Sequence, residues 1–486
     1  MRDKFTNILK SQRYWLVVGC VFVFSRLATF LYPFDSDHWI FYYVGRKWLD
    51  GDILYLQVWD HKSPLIFAIN SAMHATMGGN IVLHRIFLGL VAVLTLWVFY
   101  ITAKQFFKYI GRSSFVIDSR VTTLFFAFWG SLSQFTNSGN NTENFGILAL
   151  LLAIYCYLRW RESLMWKWLF YSGAAISCLV FLKINFSILF LPLAIDIWML
   201  YRKNLRRMFF YLGLWAIPTV VQAILWLSYF MPRNLVRELI IAMVSFNGKY
   251  LRAGWAGNLS GQLVFVAILA VGFLAFVGAY YLLFKNRRQE KPILVTVGAS
   301  ALLFSGILGT FYNHYYLVVI PYFCLLLGAY WRQLFKKKIW LGLILMGMLF
   351  SFGISSKQLY NRFYGAVSVD ATNLSAAANY VREHTLPSDK VIFYGYGATF
   401  YRLSERDSGS RYLSASHPLI DEREGFGYDF TDKYIGDMAV SKPKYLIFDE
   451  STYDLYSQNT KAMEYFIRHY ELEVSMTGYE IWKIKN

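Results

Sequence analysis

Charge is scarce in this sequence: only 16% of its 486 residues are charged, whereas 56% are hydrophobic and 19% are aromatic. A soluble domain carries about 25% charged residues, so this chain lacks the polar surface that water requires. Cysteine is also scarce, because there are only four, all in apolar runs and none in a CxxC pair. The composition therefore excludes a soluble enzyme, a disordered scaffold and a secreted disulfide framework.

The charge that is present is mostly basic, with a net value of +18. In a soluble protein this excess would suggest binding to nucleic acid. In a chain this apolar, basic residues on cytoplasmic loops are the better interpretation. We therefore expect no nucleic-acid partner.

Long apolar runs dominate the first 355 residues. A membrane span needs roughly 17 to 25 residues, and runs of about that length lie near 14–32, 83–103, 121–136, 144–160, 166–182, 184–201, 208–230, 261–284, 292–310, 314–331 and 339–355. The first run lacks a small-x-small cleavage site, which indicates a retained span. The sequence predicts a mainly α, polytopic membrane protein with about 11 transmembrane helices in residues 1–355.

The basic residues predict the orientation. If the N-terminus is cytoplasmic, every inside segment carries a cluster of Lys and Arg, such as Lys104, Lys108, Arg112 and Arg120. This distribution follows the positive-inside rule. It makes the first loop, 33–82, and the tail, 356–486, extracytoplasmic. The tail predicts a small α/β domain, with helices near 373–384 and 460–470 and strands near 391–396, 445–449 and 479–484.

The predicted first outer loop is rich in aromatic residues instead of turn formers, which favours short helices along the membrane surface. Further polar clusters at 137–144, 183–185 and 312–316 fall on the same predicted side. We expect their charges of both signs to converge there. Such a set suits group transfer from a phosphate-bearing lipid: a carboxylate removes a proton from the acceptor, and a cation holds the departing phosphate.

The order of motifs resembles a known family. Asp37 with Phe41-Tyr-Tyr-Val-Gly45, followed by Gly51, Tyr55 and Trp59-Asp-His-Lys62-Ser-Pro64-Leu, is similar to the first outer loop of GT-C class membrane glycosyltransferases. The nearest branch is the bacterial protein-mannosyltransferase/aminoarabinose-transferase-like set. The segment from Gly139 to Glu143, and His314-Tyr315 before a span with Pro321, also match. The resemblance covers about residues 14–355, and the tail matches only in placement.

The resemblance implies a GT-C fold and a hexosyl- or pentosyltransferase in the bacterial plasma membrane. The donor would be a sugar on a polyprenyl phosphate such as undecaprenyl phosphate. The acceptor would be an envelope glycan, lipid or protein. The reaction would invert the anomeric centre and need no metal or other cofactor.

The resemblance also implies roles for individual residues. Asp37 takes the place of the general base, and Lys62 that of the lysine that binds the lipid phosphate. Glu143 matches a second catalytic acidic position. Further candidates for binding substrate are Asp60, Lys183, His314 and Tyr315. Ser63 departs from the family, which often has Pro or Gly there, but removes no chemical group.

Each assignment has a structural alternative. Asp37 could instead cap the helix that follows, and Asp35 could be the base. Lys62 could extend along apolar surface towards water, and Glu143 could belong to its own helix cap. Lys183 could simply mark a tight hairpin. The histidines at 38 and 61 lack companion ligands and do not predict a metal site.

Two other functions fit an apolar chain. A transporter or flippase of lipid-linked sugars would hold essential charges near the bilayer midplane, where the sequence offers only Arg26 and Asp196. An assembly factor would need neither so many spans nor an outer loop with both charge signs. The sequence favours the enzyme.

Overall fold

The computed structural model describes residues 12–31, 34–249, 313–336, 338–364, 366–395, 398–414, 427–450 and 459–485. The predicted spans at 261–284 and 292–310 lie outside these residues. In chain order the α-helices of six or more residues in the described ranges are α1 (Arg13–Leu31), α2 (Ser36–Leu49), α3 (Pro64–Met77), α4 (Ile81–Tyr109), α5 (Phe115–Trp129), α6 (Thr142–Ser163), α7 (Trp166–Leu182), α8 (Leu191–Tyr201), α9 (Leu205–Phe230), α10 (Ile320–Lys336), α11 (Lys338–Tyr364), α12 (Ala366–Glu383), α13 (Thr399–Ser404), α14 (Phe430–Ser441) and α15 (Thr460–His469). The strands are β1 (Lys390–Tyr394), β2 (Asp407–Ser408), β3 (Tyr445–Asp449), β4 (Tyr470–Met476) and β5 (Tyr479–Ile484).

Two compact units make up the chain. Residues 1–32, 81–232 and 251–358 form the first, which we call the membrane unit. Residues 33–80, 233–250 and 359–486 form the second, which we call the loop–sheet unit. The predicted first outer loop thus shares a unit with the tail, and the predicted boundary at residue 355 stays a prediction.

The membrane unit has the predicted character of an integral membrane protein. Six helical segments in the described residues are long and apolar enough to cross a bilayer: Arg13–Leu31, Ile81–Tyr109, Thr142–Ser163, Ile184–Tyr201, Leu205–Arg233 and Leu341–Asn361. The helices α5, α7 and α10 are shorter, with 15, 17 and 17 residues. The polytopic helical fold is confirmed, and the total of 11 spans stays a prediction.

Helix α6 is the central element of the membrane unit. One face, with Ile147, Leu151 and Leu158, packs into a core shared with α1, α4, α5 and α10. The other, with Tyr157 and Trp160, packs into a second core shared with α7, α8 and α9. Because both faces are covered, the N-terminal end of α6 is held in a fixed place.

Two glycines allow close helix crossings around this centre. A Cβ atom at Gly173 on α7 would overlap the Trp215 carbonyl oxygen on α9. A Cβ atom at Gly328 on α10 would lie 2.9 Å from Cβ of Thr122 on α5. Small residues bring backbones together where no hydrophobic effect drives helices to associate.

The predicted span at 314–331 begins later than expected. Residues Asn313–Val318 form a 3₁₀ turn, and the α-helix starts at Ile320 with Pro321 directly inside it. Proline lacks the N–H that a first helical turn leaves unpaired, so it suits this position. The chain at His314 and Tyr315 is therefore a short turn ahead of the helix.

The loop–sheet unit contains the predicted helices of the first loop and a five-stranded sheet. Helices α2 and α3 pack closely, since Gly45 approaches the backbone of Asn70 and Ser71, and the Ser71 hydroxyl donates to the Gly45 carbonyl at 2.7 Å. The sheet order is β2-β1-β3-β5-β4, with β1 parallel to β2 and β3, and β5 antiparallel to β3 and β4. The α/β character of the tail is confirmed, although β2 and β4 were not predicted.

Candidate functional site

The start of α2 carries two acidic residues with different structural roles. Asp35 is the N-cap, and its carboxylate accepts the His38 backbone N–H at 2.9 Å. Asp37 is the second residue after this cap, lies in the first turn of α2 and is half-buried. No hydrogen-bond or ion-pair partner of its carboxylate lies among the described residues. The cap that could have explained Asp37 is therefore supplied by Asp35.

The segment from Asp60 to Lys62 forms a compact group of charges ahead of α3. The Asp60 carboxylate is 3% exposed and accepts the Lys62 backbone N–H at 3.1 Å. The Lys62 ammonium lies 2.7 Å from Nε2 of His61, and Nδ1 of His61 lies 3.7 Å from the Asp60 carboxylate. The His61 imidazole therefore lies between the Asp60 carboxylate and the Lys62 ammonium.

The backbone of this segment is fixed on both sides. The buried Tyr55 hydroxyl donates to the Lys62 carbonyl at 2.6 Å, and the Asn247 amide donates to the His61 carbonyl at 2.9 Å. The Trp59 N–H donates to the Arg411 carbonyl at 2.9 Å. The charged side chains therefore project from a rigid loop, as a functional site requires.

The Asp37 carboxylate influences Asp60 electrostatically. Burial raises the pKa of Asp60 from an ordinary 3.8 to about 6; the Lys62 cation opposes this rise, and the Asp37 carboxylate adds to it. Two carboxylates and one lysine therefore interact in the loop–sheet unit. These are the three residues of the first loop that the resemblance singled out.

The raised pKa of Asp60 predicts a pH-dependent stability. The Asp60 carboxyl has a pKa of about 6 in the folded chain and about 3.8 in the unfolded chain. Its protonation therefore contributes fully to folding stability below about pH 4, and this contribution is lost as the pH rises through 6. Asp60→Asn keeps an oxygen for the Lys62 N–H and cannot ionise. We expect wild type to lose roughly 2 kcal/mol relative to this variant between pH 4 and pH 7.

Unfolding midpoints of both purified proteins across that pH range measure the effect. A difference between the two midpoints that does not change with pH would contradict the raised pKa.

In the membrane unit, Glu143 is buried in an ion pair with Lys183. The Lys183 ammonium donates to the Glu143 carboxylate at 2.7 Å, with the two residues 8% and 1% exposed. The Thr142 hydroxyl donates to the other carboxylate oxygen at 2.9 Å. Asn141 is the cap of α6 and accepts the Asn144 N–H at 2.9 Å. Asn141, and not Glu143, therefore caps α6. Lys183 forms a specific ion pair in addition to ending α7.

His314 and Tyr315 complete this cluster. The Lys183 ammonium lies 3.9 Å from the centre of the Tyr315 ring, a cation–π contact. The His314 ring is packed edge-on against Tyr315, and its Nδ1 lies 3.3 Å from the Asn137 amide nitrogen. Four predicted site residues, Glu143, Lys183, His314 and Tyr315, thus meet at the ends of α6 and α7.

Sequence reasoning did not assign Thr142 and Asn137 to the site. Both lie in the polar segment at 137–144, which was recognised only as a cluster. The Thr142 hydroxyl donates to the Glu143 carboxylate and so orients it. The signal available in the sequence was a polar residue directly before an acidic residue at the predicted start of a helix.

The predicted site residues fall into two groups. Asp37, Asp60 and Lys62 belong to the loop–sheet unit, whereas the cluster around Glu143 belongs to the membrane unit. Their convergence on one outer face stays a prediction. In the part of the chain that the structure describes, no group of three or more His, Cys, Asp or Glu side chains could hold a metal ion.

The fold resembles solved structures of a membrane protein. No protein-family model matches the chain, and no curated protein matches it. The crystal structure of ArnT from Cupriavidus metallidurans bound to undecaprenyl phosphate aligns with a TM-score of 0.54 and 12% identity, over 97% of this chain and 98% of that chain. ArnT from the same organism in the apo state aligns with a TM-score of 0.57 and 12% identity, over 96% and 97%. The similarity confirms the predicted polytopic helical fold and shows that it is ArnT-like over nearly the whole chain.

Proposed function

We propose that this protein is an integral-membrane glycosyltransferase that moves a sugar from a polyprenyl-phosphate carrier to a cell-envelope acceptor on the outer face of the membrane. The observation that carries the proposal is the ArnT-like fold over nearly the whole chain, because one of those ArnT structures holds undecaprenyl phosphate. The charged groups at the predicted positions support it. They provide the carboxylates and amines that such a transfer uses.

The proposed reaction is a single displacement. The acceptor hydroxyl oxygen attacks the anomeric carbon of the sugar while the bond from that carbon to the phosphate oxygen breaks. Asp37 accepts the hydroxyl proton. The polyprenyl phosphate leaves with the bonding electron pair, and Lys62 stabilises its negative charge. Attack opposite the leaving group inverts the anomeric centre.

Asp60 supports Lys62 in this scheme. Its carboxylate accepts the backbone N–H of Lys62 and faces His61, which contacts the Lys62 ammonium. These contacts limit the positions that the ammonium can occupy. A fixed cation stabilises developing charge with little reorganisation during the reaction.

The Glu143 cluster would bind substrate. Lys183 is held between the Glu143 carboxylate and the Tyr315 ring, and His314 lies beside them. A carboxylate, an ammonium and two rings in one place suit the hydroxyl groups and C–H faces of a sugar. We propose that Glu143 orients the acceptor or the sugar.

The transporter alternative is less well supported. Buried charges in the described spans are largely paired within the bundle: Asp196 binds Arg161 at 3.1 Å and accepts from Tyr157 at 2.7 Å. Asp118 accepts from Trp331 at 2.9 Å. Such pairs stabilise helix packing and leave few charges for a moving substrate.

A donor-release assay tests the proposed function. Membranes that contain the protein, and matched empty membranes, receive a panel of polyprenyl phosphates that carry radiolabelled sugars. Protein-dependent loss of label from one carrier supports transfer. Movement of intact labelled lipid between leaflets, without release of the sugar, would favour the transporter instead.

Replacing Lys62 should weaken capture of the carrier. Lys62→Ala removes the ammonium that we assign to the lipid phosphate, and a charge-assisted hydrogen bond of about 1.5–3 kcal/mol corresponds to roughly tenfold to a hundredfold in affinity. A titration of purified protein with undecaprenyl phosphate measures this. Lys461→Ala, at an exposed position of α15, serves as the control. Equal affinity of Lys62→Ala and wild type would refute the assignment.

A further inference from the structure

A separate cavity of about 230 Å³ lies in the loop–sheet unit. It is lined by one face of α2, by Gly79 and by residues in and around α13: Trp39, Tyr42, Tyr43, Arg46, Gly79, Ala398, Tyr401, Arg402, Glu405 and Arg406. Pockets for drug-sized ligands usually measure about 300–1,000 Å³. This cavity therefore suits a smaller group, such as one sugar ring.

The cavity is on the side of α2 opposite to Asp37. Positions 39, 42, 43 and 46 follow the spacing of three and four that defines one helix face. At 3.6 residues per turn, positions 39 and 46 lie about half a turn around the helix from position 37. A ligand in the cavity is thus separated from the proposed base by the body of α2.

Three arginines make the cavity cationic, but their hydrogen bonding differs. Arg46 forms an ion pair with Asp407. Arg406 donates to the Thr385 hydroxyl at 2.7 Å and to several backbone carbonyls. Arg402 has no hydrogen bond or ion pair with the described residues, and its buried Nε lacks an acceptor. Its guanidinium is therefore available to a ligand.

One acidic side chain also lines the cavity. The Glu405 side chain is 59% exposed and its carboxylate lies 3.8 Å from the Arg382 guanidinium, which does not line the cavity. Arg382 therefore partly neutralises the Glu405 charge. The Tyr42 hydroxyl is within electrostatic range of both Arg402 and Arg46. An anion beside Tyr42 would therefore be attracted mainly by Arg402, because Arg46 is already paired with Asp407.

Aromatic rings form the remaining wall. Trp39 meets Tyr42 edge-on, with ring centroids 5.6 Å apart, and Tyr43 meets Tyr401 at the same distance. The electron-rich face of an aromatic ring attracts the C–H groups on one face of a sugar. Guanidinium groups bind carboxylate and phosphate through paired N–H donors.

We propose that this cavity is a carbohydrate-binding site for a sugar residue that carries a carboxylate or a phosphate. It is distinct from the proposed site of transfer, and it does not depend on that function. Arg402 binds the anionic group, and the aromatic rings hold the sugar ring. The site would retain an anionic glycan or sugar next to α2.

Calorimetric titration of the purified full-length protein, without donor, tests this site. The probes are galacturonic acid and glucose 1-phosphate. Arg402→Gln should weaken binding of both by about tenfold, because one charge-assisted contact is lost. Arg468→Gln, at an exposed position of α15, should bind like wild type. Tyr42→Phe, which removes only a hydroxyl, is a second variant if Arg402→Gln lowers the unfolding midpoint.

Neutral and sugar-free probes complete the test. Galactose that binds as tightly as galacturonic acid would overturn the requirement for an anion. Inorganic phosphate that binds as tightly as glucose 1-phosphate would overturn the requirement for a sugar. Equal weakening by Arg402→Gln and Arg468→Gln would overturn the location. Binding of trigalacturonic acid would support a glycan residue as the ligand, and binding of monosaccharides alone would support a free sugar.

Discussion

Asp37→Asn should abolish sugar transfer while the protein stays folded. A positioned general base contributes about 10²–10⁴-fold to a rate, and an amide cannot accept the proton. The substitution keeps the shape of the side chain. It also leaves the start of α2 intact, because Asp35 supplies the cap. The rate of label release from the polyprenyl carrier, compared at equal amounts of folded protein, measures the effect.

Asp35→Asn is the matched control for this experiment. Asn is as good an N-cap as Asp and retains the oxygen that accepts the His38 N–H. We expect this variant to keep its transfer activity, and we expect that raising the pH will not rescue Asp37→Asn. Loss of transfer in Asp35→Asn together with normal transfer in Asp37→Asn would identify Asp35 as the base.

Lys183→Met should be the most destabilising of the proposed substitutions. It leaves the Glu143 carboxylate, which is 1% exposed, without its cation. Removing one partner of a buried ion pair costs about 3–5 kcal/mol, because the remaining charge is neither hydrated nor neutralised. The substitution also removes the contact with the Tyr315 ring. Thermal unfolding in detergent measures the loss.

Two further variants show whether the uncompensated charge of Glu143 causes the loss of stability in Lys183→Met. The double variant Glu143→Gln/Lys183→Met removes both charges and should recover much of the stability. Lys108→Met breaks the pair with Glu162, whose side chains are 53% and 37% exposed, and should cost less than about 1 kcal/mol. If Lys183→Met and Lys108→Met cost the same, Lys183 and Glu143 do not form a buried pair.

The sequence predicted the helical membrane fold because long apolar runs have few other possible structures. The helices of the first loop were also predictable, since aromatic residues occur there where turn formers would be expected. Strand β4 escaped prediction, although Tyr470, Leu472, Val474 and Met476 alternate with polar residues. Its acidic residues form the polar half of that alternation and suit the edge position of β4 in the sheet.

The candidate site was predictable residue by residue but not as a set of contacts. Local sequence identified Glu143 as acidic and Lys183 as basic, but their pairing depends on the packing of α6 against α7. The roles of Asp35 and Asp37 depend on where α2 begins, and two acidic residues separated by one serine leave that start ambiguous. The cavity beside α2 combines residues from positions 39–46 with residues from 398–406, and no local pattern links them.

The pairing of the first loop with the tail affects when the loop–sheet unit can form during synthesis. Arg46 and its partner Asp407 are 361 residues apart, and Trp59 bonds to the backbone of Arg411. A ribosome that adds about 5–20 residues per second needs tens of seconds to cover that interval. During this time Arg46 lacks its ion-pair partner and the Trp59 backbone N–H lacks its acceptor. A nascent chain interrupted before Asp407 would therefore carry the proposed base and the lysine on a segment held only by its earlier contacts, such as those of Tyr55 and Asn247.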